Sequence, residues 1–217
     1  MQVVENYMKN RWFTSTVMVG LVSVACFTGC GNPADGVEEA TVTAENKDAS
    51  VAAVAGAMVY AISADSKISF TGSKITGSHS GGFNTFSGTI AVADGAIVAP
   101  SKVEIDMDST WSDSDRLTGH LKNADFFDVS TYPTSTFEFT GIEQGADGSH
   151  TVTGSLTLHG VTKSISFPAQ VSLTDSEVTL KAQFFIKRFD FDIAFAGRAD
   201  DLIRDEVVIN LDIKAGA

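Results

Sequence analysis

Apolar and polar side chains alternate with a period of two through most of the chain after Tyr60, and this pattern limits the fold more than any other feature. In the clearest run, 102–108, Val103, Ile105 and Met107 alternate with four charged residues. Because successive side chains of a strand point to opposite faces, such a run predicts a strand with one face in a core. The pattern predicts eight strands, with inward residues Ile68 and Phe70; Phe86, Ile90 and Val92; Val103, Ile105 and Met107; Phe137 and Phe139; Val152, Leu156 and Leu158; Ile165, Phe167, Val171 and Leu173; Val178, Leu180, Phe184 and Ile186; and Val207, Ile209, Leu211 and Ile213.

Turn sequences separate the predicted strands where hairpins need them. They are Asp94-Gly95, Gly145 to Gly148, His159-Gly160 and Thr174-Asp175. Short connections between successive strands predict an up-and-down antiparallel meander. Eight such strands can close into a barrel, which removes exposed strand edges and leaves room inside for side chains or one small ligand. We therefore predict an all-β fold, an eight-stranded antiparallel barrel.

Two stretches break the alternation. Ser112-Asp113-Ser114-Asp115 resembles a capping box with Asp in place of Glu, and Leu117, Leu121 and Ala124 follow at helical spacing. We expect a short helix from about Asp113 to Ala124, after the third strand, that covers one end of the barrel. The second stretch, from Arg188 to Ile193, is too rich in aromatic residues for a solvent loop, and we expect it to fold over a barrel mouth.

The first thirty residues have the layout of an export signal. A basic start at 9–11 precedes an uncharged apolar run, 12–27, that is shorter than the ~20 residues of a membrane-spanning helix. Phe27-Thr28-Gly29-Cys30 resembles the lipobox of bacterial lipoproteins, in which the cysteine is acylated after cleavage. This resemblance predicts a signal peptide over residues 1–29 and lipidation of Cys30. The alternative is an ordinary secretory signal that is cut nearby, with Cys30 as a bystander.

The residues after Cys30 suggest where the anchored protein resides. Gly31 stands where an Asp would resemble an inner-membrane retention signal, so the periplasmic face of the outer membrane is favoured within the cell envelope. Residues 31–57 contain no aromatic side chain and several acids. Because such a stretch buries little apolar surface, we expect 30–57 to be a disordered tether and 58–217 to be the folded domain.

Charge and motif content argue against several function classes. The chain has 15 Lys and Arg against 27 Asp and Glu, a surplus of negative charge that repels a phosphate backbone, so nucleic acid is not an expected partner. Both cysteines precede residue 31, and the four histidines lack metal-ligand spacing, so we expect neither a metal site nor a resident cofactor. Nucleophile elbows, phosphate loops and zinc-protease motifs are absent from the sequence, and we expect a protein that is not an enzyme.

Phenylalanine is unusually abundant, with 15 Phe against 3 Tyr and 2 Trp. These side chains either fill a packed core or line an apolar pocket, and the sequence pattern is compatible with both interpretations. His120, on the predicted helix, is expected either to bond a ligand head group or to cap the buried face of that helix. Arg116, in the first turn of the same helix, is a further head-group candidate.

The order of motifs between about residues 60 and 214 resembles the bacterial YceI-like family of polyisoprenoid-binding periplasmic proteins. The matching pieces are Gly82-Phe83, Phe86-Ser87-Gly88, Ser109-Thr110, Arg116 with His120-Leu121, Asp125-Phe126-Phe127-Asp128, Tyr132-Pro133, Thr136-Phe137, the run from Gly154 to Lys163, and Asp205-Glu206-Val207. The resemblance implies a lipocalin-like barrel whose hydrophobic tunnel binds a long isoprenoid lipid. Two motifs depart from the family: Phe70 is followed by Thr71-Gly72-Ser73 without a nearby His, and the segment after Arg188 lacks the usual Phe-Gly.

Our leading hypothesis is a carrier or store for a long-chain apolar lipid of the polyisoprenoid type, bound inside the barrel, with membrane attachment through acylated Cys30. The predicted ligand-lining residues are Phe70, Phe86, Ile105, Phe137, Phe139, Leu156, Phe167, Phe184 and Ile209. The predicted head-group or mouth residues are His120, Arg116, Phe189 and Phe191. Two other hypotheses stay open, an interaction module with a packed barrel and a hydrolase that uses the carboxylates between Asp108 and Asp128.

Overall fold

The computed structural model describes residues 31–46, 53–146 and 148–216. The strands are β1 (Thr41–Ala44), β2 (Met58–Ile62), β3 (Lys67–Lys74), β4 (Gly77–Phe83), β5 (Phe86–Ala93), β6 (Ala96–Asp106), β7 (Thr110–Ser112), β8 (Thr134–Gln144), β9 (His150–Leu158), β10 (Val161–Leu173), β11 (Glu177–Lys187), β12 (Gly197–Arg198) and β13 (Asp201–Gly216). One α-helix, α1, spans Asp115–Leu121, and single 3-10 turns span Met107–Ser109 and Arg188–Phe191.

Eight strands close an antiparallel barrel. The ring runs β2, β5, β6, β8, β9, β10, β11 and β13, and β13 pairs back with β2 through Ala215 and Gly216. From β5 onward the ring follows chain order, as the short turns predict. Left-handed backbone at Asp94-Gly95 and at His159-Gly160 closes two of these hairpins. The all-β barrel fold predicted from the alternation is confirmed.

The barrel seam differs from the prediction in its first strand. The predicted first strand, β3, pairs with β13 over Ile203–Asp212, but it continues into β4 and β7 and does not pair with β5. The short β2, which the alternation did not reveal, completes the ring instead. β4 was also missed, because its sequence, Gly77–Phe83, is mostly Gly and Ser and carries no apolar alternation. Backbone pairing with β3 specifies this strand in place of side-chain pattern.

The predicted tether is wrong for part of its length. β1 pairs antiparallel with β10, from Thr41 opposite Ser166 to Ala44 opposite Lys163. Ala40 is buried, and its N–H donates to the carbonyl of Phe185 at 2.9 Å. A strand that docks on an existing sheet edge needs little apolar surface of its own, so its composition resembles that of a disordered segment. Residues 1–30, which include the predicted signal peptide and Cys30, lie outside the described residues.

Two segments cover one end of the barrel interior. α1 begins after its cap Ser114, whose hydroxyl accepts from the N–H of Leu117, and it ends at Leu121, three residues earlier than expected. The chain then turns back, with the N–H of Phe127 donating to the carbonyl of Leu121 at 3.0 Å. The second segment is 188–203. We name 114–127 and 188–203 together the cap; they meet where Phe126 and Phe195 pack with ring centroids 5.2 Å apart.

Candidate functional site

A cavity of about 250 Å³ lies inside the barrel beneath the cap. Its wall is almost entirely Ile, Leu, Val and Phe side chains, and eight of the 15 Phe residues of the chain contribute to it. Apolar cavities of about 150 Å³ already stay dry and bind small apolar molecules. The surface of this cavity therefore suits apolar groups better than water.

The structure places eight of the nine predicted lining residues on the wall of this cavity. They are Phe70, Ile105, Phe137, Phe139, Leu156, Phe167, Phe184 and Ile209. The exception is Phe86, the first residue of β5, which pairs with Ile105 and packs against the core outside the cavity wall. Its strand parity was predicted correctly, but it lies beyond the part of β5 that pairs with β2, toward one end of the barrel.

Aromatic rings form two groups around the cavity. Phe167 and Phe184 stack with centroids 4.2 Å apart, and Phe137 packs on Phe167 at 5.7 Å. On another side, Phe70 contacts both Phe83 and Phe127. Sequence reasoning did not place Phe83, Phe126 or Phe127 in the wall, because β4 has no alternation and the turn after α1 follows neither strand nor helix periodicity.

Glycine lets the rings lie against the barrel wall. A methyl group at Gly154 would lie 2.2 Å from Cζ of Phe137, and one at Gly81 would lie 2.5 Å from Cζ of Phe70. Both distances are far below a van der Waals contact. A larger residue at either position therefore displaces the neighbouring ring, and it also meets a backbone oxygen, that of Glu138 at 2.6 Å or that of Trp111 at 2.5 Å.

The predicted mouth residues do not lie on the cavity wall. Phe191 is fully buried within the cap, whereas Phe189 is half exposed, with its ring centroid 4.3 Å from Cζ of Arg188. Arg116 and His120 face a separate outer groove. We name this surface the α1 groove; its walls are Lys74, His79, Ser114, Arg116, Leu117, His120, Phe195, Gly197, Arg198, Asp201 and Ile203. Ile203 lines both the groove and the cavity.

Carboxylates hold most of the basic side chains of the α1 groove. Nε2 of His120 lies 2.6 Å from Oδ2 of Asp125, while its ring packs edge-on against Phe126 and Phe195, each with centroids 5.0 Å away. The side chain of His120 is thus fixed by a hydrogen bond to Asp125 and by aromatic contacts. The geometry favours the structural alternative that the sequence left open for this residue.

Two further carboxylates, Asp113 and Asp201, bond to side chains that border the groove. The backbone N–H of Ser80, together with His79, holds the pKa of Asp113 below its usual value. Lys74 forms an ion pair with Asp201 and, with Thr76, lowers the pKa of that carboxyl. These contacts tie the hairpin of β3 and β4 to α1 and to the start of β13.

Two arginines reach the cavity wall at its capped end, and sequence reasoning assigned neither to the lining. Arg188 is buried and donates to the carbonyls of Arg204, Ile193 and Ile203 at 2.9, 2.5 and 3.2 Å. Burial lowers the pKa of this guanidinium, and the nearby carboxylate of Asp205 opposes the shift. Arg188 therefore fastens the second cap segment to β13.

Arg204 reaches the cavity through an irregularity in β13. The register with β3 shifts between Ile203 and Val207, so that alternation breaks and the consecutive residues Ile203 and Arg204 both line the cavity. Bulges commonly redirect a side chain in this way beside functional sites. Nε of Arg204 is buried and has no hydrogen-bond partner among the described residues. In the sequence, such a residue would stand out as a charged side chain at a strand position that should face inward. That can be recognised only once the register of β13 is known.

Within the described residues, no three His, Cys, Asp or Glu side chains come together in a way that could hold a metal ion. Over the same ranges, none of the helices has the length and hydropathy required to span a bilayer.

Comparison with known proteins places the fold. A family model described as YceI-like domain matches residues 60–215. A UPF0312 protein of Vibrio parahaemolyticus is 41% identical over 92 residues, which are 42% of this chain and 48% of the relative. A UPF0312 protein of Pseudomonas putida is 38% identical over 91 residues, or 41% and 47% of the two chains. The chain thus spans about half the length of the curated relatives it matches.

Solved structures share the barrel. BcnA of Burkholderia cenocepacia superposes with a TM-score of 0.63 and 25% identity, over 70% of this chain and 97% of BcnA. A polyisoprenoid binding domain from Saccharophagus degradans, implicated in plant cell wall breakdown, superposes at 0.60 with 21% identity over 73% and 98%. The latter likeness concerns the fold alone. With the family model covering most of the folded part, the chain belongs to the YceI-like domain family.

Proposed function

We propose that this protein binds a long apolar lipid of the polyisoprenoid type inside its barrel and carries or stores it. The observation that supports this most directly is the cavity beneath the cap, whose wall offers apolar contact on almost every side. Burying each CH₂ of a ligand contributes about 0.8 kcal/mol, so a long chain can bind tightly with few polar contacts. The polyisoprenoid binding domain from Saccharophagus degradans shares this fold.

The proposal describes binding without catalysis. The carboxylates of the hydrolase hypothesis lie outside the cavity wall, and three of them have local partners. Asp113 contacts His79, Asp125 contacts His120, and Asp128 accepts from the hydroxyl of Ser130. An activity screen on ester and phosphate substrates tests this part, and turnover that is lost in Asp113→Asn or Asp125→Asn would revive the hydrolase hypothesis.

The first test is a mass spectrum of the lipid extract from gently purified protein. Wild type is expected to retain a long-chain apolar lipid. Leu156→Trp fills the cavity and is expected to lose that lipid. Ser155→Trp is the matched control, since it adds the same side chain on the opposite face of β9, and it should retain the lipid.

An extract without lipid from wild type, together with no uptake of added polyprenol, would contradict the carrier proposal. Retention that is equal in wild type and in Leu156→Trp would place the lipid outside the barrel. Either result favours the alternative of an interaction module with a packed interior.

The location in the cell is proposed from sequence features alone. The apolar run before Cys30 and the lipobox-like Phe27 to Cys30 support export and acylation, which would hold the barrel at the periplasmic face of the outer membrane. Cys30→Ser should move the protein to the soluble fraction and abolish labelling by a fatty-acid probe. A variant that stays with the membranes would exclude the lipid anchor.

A further inference from the structure

Strands β10 and β11 are paired over only part of their length. Residues 170–173 of β10 pair with 178–181 of β11, next to the turn that joins the two strands. Farther from this turn, 161–169 pair with β9 and 182–187 pair with β13, and no pairing joins β10 directly to β11 among the described residues. The barrel wall is therefore split between these two stretches, and the split ends at the cap, because β11 continues into Arg188.

A segment from the N-terminal part of the chain fills this split. β1 pairs antiparallel with 163–166 of β10. Just before β1, the N–H of Phe185 donates to the carbonyl of Glu38, and the N–H of Ala40 donates to the carbonyl of Phe185, both at 2.9 Å. We name 38–44 the insert. It is bonded to β10 on one edge and to β11 on the other, so it completes the wall where the two strands separate.

The insert lies between two parts of the cavity wall. Ile165 of β10 and Ile186 of β11 both line the cavity, and they belong to the two stretches that the insert joins. Val42 is paired with Ile165 and packs against the core, and Ala40 is only 2% exposed. Neither Val42 nor Ala40 lines the cavity itself. Removing the insert would leave Ile165 and Ile186 at the edges of an opening in the wall.

Few contacts hold the insert in place. Ala40 and Val42 pack against the core, while the other side chains of the insert are exposed. Glu39 adds an ion pair to Lys187 at 2.7 Å, but both side chains are largely in solvent, where such pairs stabilise little. Segments with few buried apolar contacts open locally at a lower free energy than core strands do. The cap, by comparison, is fastened by the buried Arg188 through three carbonyls.

We propose that the insert is a removable part of the barrel wall, and that its release from between β10 and β11 opens a lateral slot through which the lipid enters and leaves the cavity. This inference rests on the proposed lipid-binding function and adds the route of the ligand. A slot parallel to the strands admits a long chain sideways, so the chain does not have to thread past the cap. The barrel itself stays paired while the slot is open, because the insert belongs to none of the ladders of the ring.

A disulfide that locks the insert tests this route. Thr43 and Ser164 are paired and face away from the cavity. Opposite residues of an antiparallel pair lie within the range of Cα separations that a disulfide spans. Thr43→Cys with Ser164→Cys is made in the full chain together with Cys26→Ser and Cys30→Ser, so that the introduced pair holds the only thiols. We name the oxidised form the locked protein.

The measured quantity is the rate at which retinol, a fluorescent isoprenoid alcohol, moves from the protein to phosphatidylcholine vesicles. We expect the locked protein to transfer retinol about 10-fold more slowly than wild type, because the disulfide suppresses local opening of the insert. Dithiothreitol should restore the rate. The equilibrium affinity for retinol should be unchanged, because neither Thr43 nor Ser164 lines the cavity. A lock on the entry route changes the rate of binding, whereas damage to the cavity changes the affinity.

Ser155→Cys with Ser164→Cys is the matched control disulfide. It shares Ser164, and Ser155 is the residue of β9 that pairs with Ser164 on the other edge of β10. Because β9 and β10 both belong to the ring, this disulfide joins strands that stay paired when the slot opens. Transfer of retinol should therefore be as fast as in wild type. Equal slowing by the two disulfides would assign the effect to stiffening of β10 and would overturn the proposal.

Val42→Asp should act in the opposite direction, since a carboxylate on the inward face weakens docking of the insert. We expect faster transfer of retinol, together with faster hydrogen exchange of the amides of 38–44 and unchanged exchange in β9. Thr43→Asp is the control, because it adds the same charge on the exposed outward face, and it should leave the transfer rate and the exchange unchanged. If Val42→Asp unfolds the whole barrel, the two disulfides decide the matter.

Transfer at the wild-type rate by the locked protein would overturn the proposal and leave lipid binding intact. If Arg188→Met speeds transfer while the locked protein behaves as wild type, the lipid passes the cap and the slot is excluded as the route. Wild type that binds neither retinol nor polyprenol would count against the proposed function, and this inference would fall with it.

Discussion

The wall of the cavity and its capped end are built on different principles. The wall consists of long paired strands that present one apolar face, so any one side chain there makes the same kind of contact as its neighbours. The cap consists of short turns held by Arg188, by the hydrogen bond of His120 to Asp125 and by aromatic contacts such as that of Phe126 with Phe195. The wall therefore offers the same apolar contact along its length, whereas the cap depends on individual polar contacts such as those of Arg188.

The largest stability effect is expected at the cap. Arg188→Met removes the three guanidinium nitrogens that donate to three backbone carbonyls. We expect a loss of about 3 kcal/mol in the free energy of unfolding, measured by chemical denaturation. Arg198→Met is the control, since Arg198 is exposed, and it should change stability by less than about 0.5 kcal/mol. Equal effects of the two variants would mean that the cap does not depend on Arg188.

A larger residue behind the aromatic rings of the cavity wall is expected to lower the stability of the protein. Gly154→Ala places a methyl group against Phe137 and should destabilise the protein by about 1–3 kcal/mol. The displaced ring should also reduce binding of an apolar probe. Gly141→Ala, on the adjacent strand β8, is the control, because nothing lies within 4 Å of the position that its Cβ would take. A Gly154→Ala protein with unchanged stability and binding would show that the wall adapts freely.

A larger side chain that enters the cavity should destabilise the protein less than a larger side chain in the packed core beside it. Val178 is fully buried opposite Ala215 and does not line the cavity, so Val178→Phe should destabilise by about 1–3 kcal/mol. Leu156→Trp enters the cavity and should cost less than about 1 kcal/mol. Unfolding midpoints of both variants, measured after lipid extraction, decide the matter. A larger loss for Leu156→Trp would indicate a close-packed interior.

The smallest effect is a pH dependence at the cap. Lys74 and Thr76 lower the pKa of Asp201 from its ordinary value of 3.8, so the ionised carboxylate favours the folded state. This stabilisation is complete above pH 3.8 and is lost as the pH falls below that value. Asp201→Asn should flatten the fall of the unfolding midpoint below pH 3.8, whereas Asp200→Asn, at an exposed and longer ion pair, should leave it unchanged. Parallel curves for wild type and Asp201→Asn would contradict this origin.

The sequence by itself determined the barrel and most of its inner face. Alternation fixes which side chains of a strand point inward, so parity alone located Phe137, Leu156 and Phe184 on the cavity wall. Turn residues such as His159-Gly160 fixed where the meander reverses. Both signals are local, because a strand period of two and a left-handed turn are properties of a few consecutive residues.

Tertiary structure alone decided the rest. β1 and β4 exist because a neighbouring strand offers backbone partners, which neither composition nor period records. Phe86 lies off the cavity wall although its partner Ile105 lines it, and Arg204 joins the lining where the register of β13 with β3 shifts. Each outcome depends on the register between segments far apart in the chain. The apolar face could therefore be read from the sequence, whereas the two arginines at the capped end of the cavity appear only when the strands are paired.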